Sequence, residues 1–155
     1  MNLWQWLYDS TLGTGVRDST WIFPFLEVIH IYSLIVVIGL VGAFDLRLMG
    51  RALQHMKLSV IASFVLRWIL FPVGINVVTG TLLFMSKAPE YSVNRAFQVK
   101  IALIVAGVIF HIIILRRSKK ASDNVNVGWA VKLLAGLSLA VWAGVIAVSR
   151  WIAYA

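Results

Sequence analysis

Three histidines carry much of the chemistry open to this 155-residue chain, and two of them sit inside long apolar stretches. His30 lies in the first stretch, Arg67 in the second, and Lys100 with His111 in the third. Ionisable groups are expensive in hydrocarbon, so each marks a functional site whose partner has to be found. Lys100 and His111 are eleven positions apart, which at about 100° per residue returns to nearly the same helix face. Their separation along the axis is roughly 16 Å, about the scale of a porphyrin with its propionates extended. That spacing suits a haem ligated by imidazole at one end and anchored by ammonium at the other. His55, and in principle Met49, Met56 or Met85, are further candidates for an iron ligand.

The elements that must position these groups follow from composition. Hydrophobic residues make up 61% of the chain and charged residues 13%, with mean hydropathy +0.89, which excludes an ordinary soluble domain. Four apolar stretches, at about residues 21–44, 58–85, 96–115 and 128–152, are long enough to cross a bilayer. The expected fold is all-α, one integral membrane four-helix bundle spanning residues 1–155. Leu3, Trp4, Trp6 and Leu7 form the apolar side of a short interfacial helix over about residues 2–12, and nothing in residues 1–20 reads as a signal peptide. Asp18, Ser19 and Thr20 offer caps for the first span, and Pro72 should kink the second. Gly136, Ala140 and Gly144, and Ala102 with Ala106, allow close helix approach, within the protomer or in a homo-oligomer.

The absence of cysteine removes disulfides and thiolate sites. The net charge of +8 is a topology signal rather than a nucleic-acid footprint, because the basic residues flank the spans. Arg47, Arg51 and Lys57 follow the first span; Arg116, Arg117, Lys119 and Lys120 follow the third, ahead of a polar turn at Ser122, Asp123, Asn124 and Asn126. These connections are expected in the cytoplasm, with both termini outside a bacterial-type inner membrane. Trp4, Trp6, Trp21, Tyr91, Trp151 and Tyr154 would form an outer aromatic belt. Centring each span sorts the polar groups into two layers. Glu27, His30, Asn76 and Lys100 form the outer one; Asp45, Arg67 and His111 form the inner one, with His55 near the inner surface. Asp45 and Arg67 are a natural buried pair, and on these depths His30 and His111 stand about 12 Å apart, which leaves the axial ligand pair open.

The order of features resembles the small four-helix membrane proteins around the HemJ-type protoporphyrinogen oxidases and the CopD-like group. His30 stands in LEVIHIYSLIVVIGL, Asp45 and Arg47 in FDLRLMG, Pro72 in FPVG ahead of TGTLLF, Lys100 in FQVKIAL and His111 in IFHIII. The resemblance covers roughly residues 25–115, and departs at Ala52, Leu53, Gln54 and His55, where the HemJ-type pattern has a Tyr-His pair. It implies haem b inside the bundle, with His30 and His111 as ligands and Arg47 and Lys100 as partners for propionates or an anionic substrate. The expected function is a haem-b membrane redox protein, a haem-dependent oxidoreductase or an electron carrier, exchanging with quinone, a porphyrinogen or a partner protein. The alternatives are a metal-ion or proton-handling transporter and a structural or accessory subunit whose buried charges merely pair.

Overall fold

Each apolar stretch becomes a helix because a backbone in hydrocarbon must satisfy its own hydrogen bonds. The computed structural model describes residues 2–118 and 128–152. The polar turn at Ser122 to Asn126, the preceding Lys119 and Lys120, and Tyr154 lie outside the described residues, as do the side chains of Arg116 and Arg117. Among the described residues all regular structure is helical: α1 (Leu3–Tyr8), α2 (Thr11–Asp18), α3 (Ile22–Leu48), α4 (Leu58–Trp68), α5 (Leu70–Met85), α6 (Ala88–Val93), α7 (Arg95–Ser118) and α8 (Trp129–Trp151). α3, α4 with α5, α7 and α8 supply four helical stretches long and apolar enough to cross a membrane. The protein is a multi-pass membrane protein. Large apolar side chains such as Ile35, Val77, Ile101 and Ile146 cover its exposed flanks, as expected where the surrounding solvent is lipid.

Local chemistry sets the ends and breaks. The Ser19 hydroxyl, one of the three expected caps, accepts from the Ile22 amide at the start of α3 (3.2 Å), and Asn94 caps α7 by accepting from the Phe97 amide (3.1 Å). Pro72 has no N–H to offer the Trp68 carbonyl four residues back, and the second span is interrupted there, at Ile69 between α4 and α5. The single interfacial helix expected near the N-terminus is instead two helices, turned at Asp9 and Ser10. Gly13 lets α2 settle on the end of α5. A Cβ there would lie 2.7 Å from the Leu7 carbonyl oxygen and 3.2 Å from that of Met85.

α3 is the central element, packed against α5 and α4 on one side and α8 on the other, while α7 packs mainly on α8. Helices α4 and α5 make little close backbone approach to α7, so side chains fill that seam. Phe84 of α5 and Phe97 of α7 stack across it (ring centroids 5.3 Å), flanked by Tyr91 of α6 (5.3 Å from Phe97) and Trp4 of α1 (5.8 Å from Phe84). These rings close the seam on the side holding α1, α2 and α6, here called the terminal face. Burial, with the carboxylates of Glu90 and Glu27 adding, pushes the Tyr91 phenol up, so it stays neutral in the stack. The buried apolar core lies towards the opposite, connecting face, around Phe44, Leu48, Ile61, Val65, Ile114 and Ala135. α8 carries exposed indoles at both ends, Trp129 (76% exposed) and Trp151 (68%).

Candidate functional site

The layer nearer the terminal face is built on His30. Its imidazole Nδ1 lies 2.9 Å from the Thr79 hydroxyl of α5. That hydroxyl also lies 2.7 Å from the Ile75 carbonyl. With the hydroxyl donating there, His30 donates to it through Nδ1–H and Nε2 keeps a lone pair free to ligate a metal. Gly80 makes room for the ring: a Cβ at that position would be 3.1 Å from His30 Cε1. Asn76 donates both to the Ser33 hydroxyl (2.7 Å) and to the His30 carbonyl (3.1 Å), while Ser33 donates to that same carbonyl (2.9 Å). Two helices are thus clasped around one histidine. Lys100 of α7 is close enough for its charge to act on the His30 imidazole.

The second layer lies 15 residues further along α3, about 22 Å away by helical rise. Here Phe44 meets His111 edge to face, with ring centroids 5.7 Å apart, and Asp45 faces Ser138 of α8 without a hydrogen bond of good geometry. Trp142, one turn beyond Ser138, packs its indole against Gly107 of α7, where a Cβ would be 3.3 Å from the ring. Neither nitrogen of His111 has a hydrogen-bond partner.

Several expectations change with this geometry. His30 and His111 were candidate ligands to one iron. Phe44, on which His111 packs with ring centroids 5.7 Å apart, is fourteen residues from His30 on α3, about 21 Å by helical rise, too far for the two imidazoles to ligate one iron. α3 runs to Leu48 rather than ending at residue 44, which puts Asp45 and Arg47 in its last turns. Arg47 Nε donates to the Met56 carbonyl (2.9 Å) and braces the α3–α4 connection, some 25 Å from His30 by helical rise. Arg67 is exposed rather than buried, and Asp45 finds no partner in it. Glu27 is also exposed, as is His55 in the α3–α4 connection. Among the described residues no three His, Asp or Glu side chains converge as a metal site.

Residues 3–155 match a family described as a family of unknown function, DUF6644. The chain belongs to the DUF6644 family. No curated protein and no solved structure matches it. In this DUF6644 member the participants that sequence reading did not single out are Ser33, Gly80, Ser138 and Trp142, together with the role of Thr79 towards His30. Ser138 and Trp142 left one usable signal: four positions apart, they share a face of α8 with the buried Ala135 and Val145.

Proposed function

We propose that this protein is a haem-b-binding membrane redox protein in which His30 supplies an axial imidazole and Lys100 a cation for a propionate or an anionic substrate. The observation that carries the reading is the Thr79 contact, which commits the Nδ1 proton of His30 and leaves Nε2 as a ligand atom. Lys100, whose charge acts on the His30 imidazole, also suits an anionic cofactor, as does the resemblance over residues 25–115. A bound haem would supply one-electron chemistry. The chain's own residues hold the imidazole in one tautomer, set a positive charge beside it and, through the Trp4, Phe84, Phe97 and Tyr91 rings, cover the seam on the terminal face. A membrane-soluble quinone, a porphyrinogen or a redox partner protein would exchange electrons there. The basic connection bearing Arg47, Arg51 and Lys57 supports a cytoplasmic-membrane location with both termini outside.

Absorption spectra of the purified protein, oxidised and dithionite-reduced, test this. We expect a Soret band and a reduced alpha band, abolished or strongly shifted in His30→Ala and retained in His111→Ala and His55→Ala. Lys100→Met should weaken haem retention more than Arg95→Met, since Arg95 lies exposed at the start of α7. A wild-type protein without Soret absorption after expression with a haem precursor overturns the proposal.

A further inference from the structure

Buried polar side chains in folded proteins nearly always find partners, and each exception calls for a water or an ion. Among the described residues the exceptions are six atoms, all in the second layer: both carboxyl oxygens of Asp45, both ring nitrogens of His111, the Ser138 hydroxyl and the Trp142 indole nitrogen. Asp45 and Ser138 are 0% exposed, His111 and Trp142 7%. They come from three helices, and helix register brings them to one level. Asp45 faces Ser138, its neighbour Phe44 packs on His111, and Trp142 lies against Gly107, one turn from His111.

Charge sets the first constraint. A lone carboxylate or imidazolium in this interior is far costlier than a neutral combination. The layer therefore exists as a carboxylic acid with a neutral imidazole, or as a carboxylate with an imidazolium. Asp45 and His111 form no ion pair within 4.0 Å, so a proton passing between them needs an intermediary. The Ser138 hydroxyl can accept and donate, as can water, and a buried water typically makes about three hydrogen bonds to otherwise unsatisfied groups. A metal cation suits the set poorly, because the Trp142 N–H is a donor only and no third His, Asp or Glu among the described residues joins the two. On the connecting face an open depression of about 410 Å³ is lined by Met49, Arg51, Trp129, Lys132 and Leu133, and Met49, one turn beyond Asp45, also reaches Gly136 of α8. Arg47, two residues past Asp45, is committed to the Met56 carbonyl.

We propose that this layer is a hydrated proton-holding site, in which Asp45 and His111 share one dissociable proton through water and the Ser138 hydroxyl. In the transfer an O–H bond of the Asp45 carboxyl breaks and an N–H bond forms on His111. The relay regains each proton it passes, no electrons move, and the layer stays neutral throughout. The site does not rest on the haem reading, and its test involves no haem signal.

Infrared spectra of the full-length protein in lipid vesicles decide it. A carbonyl stretch of a protonated carboxylic acid should be lost in Asp45→Asn, should shift when H2O is replaced by D2O, and should gain intensity in His111→Phe, where the proton is left to Asp45 alone. Nitrogen-15 spectra of labelled histidine give an independent reading: the protonated fraction of His111 should fall in Asp45→Asn. An Asp45 band unmoved by D2O and unchanged in His111→Phe describes a dry, isolated acid and overturns the proposal. So does a wild type in which Asp45 has no such band and His111→Phe does not create one.

Discussion

A histidine in a membrane helix is defined chemically by the atom facing its other nitrogen. For His30 that atom is the Thr79 oxygen, whose own proton is already given to the Ile75 carbonyl. Histidine nitrogen-15 spectra should therefore find His30 protonated at Nδ1, and Thr79→Val should release the preference and cost about 1 kcal/mol of stability. A wild-type ring protonated at Nε2 contradicts the assignment. His30 itself was legible in the sequence because imidazole is conspicuous in an apolar run. Its partner was not, since Thr79 lies 49 positions away on another helix and a threonine in a span ordinarily bonds its own backbone. Arg67 misled for a related reason: sequence reports the charge, whereas only packing reports which way that face of α4 is turned.

At the level of elements, the glycines of α5 separate packing from propensity. Gly80 and Gly74 lie on the same helix, yet a Cβ at Gly80 would meet the His30 ring at 3.1 Å and one at Gly74 would meet nothing within 4 Å. Gly80→Val should therefore lower thermal stability in detergent by about 1–3 kcal/mol more than Gly74→Val, and should disturb the His30 environment while Gly74→Val does not. Equal losses would mean that the ring does not need the space. Span positions were legible from hydropathy, and the break before Pro72 from proline's missing donor. The last turn of α3 was harder, because Arg47 reads as part of the connection; Asp45, expected in the inner polar layer, continues the buried face of α3 with Val41, Phe44 and Leu48.

For the whole molecule, sequence yielded a membrane protein and its number of apolar stretches, but not their neighbours. Centring the spans already separates His30 and His111 into two layers; that α3 packs against α5 and α8 came only with the structure. The orientation we propose predicts that a C-terminal alkaline phosphatase fusion is active and a C-terminal green fluorescent protein fusion is dark; the reverse pattern inverts both layers relative to the cytoplasm. The indoles at the two ends of α8 carry a consequence of another kind. Trp129 and Trp151 are 22 residues apart, about 33 Å by helical rise, close to a hydrocarbon core of about 30 Å. Aromatic anchors at both ends tie α8 to the thickness of the lipid around it. Shorter acyl chains must be met by tilting the helix or stretching the bilayer, and a tilt of α8 carries Ser138 and Trp142 past Asp45 and His111. Lipid composition would thereby act on the alignment of the buried layer without any ligand touching it.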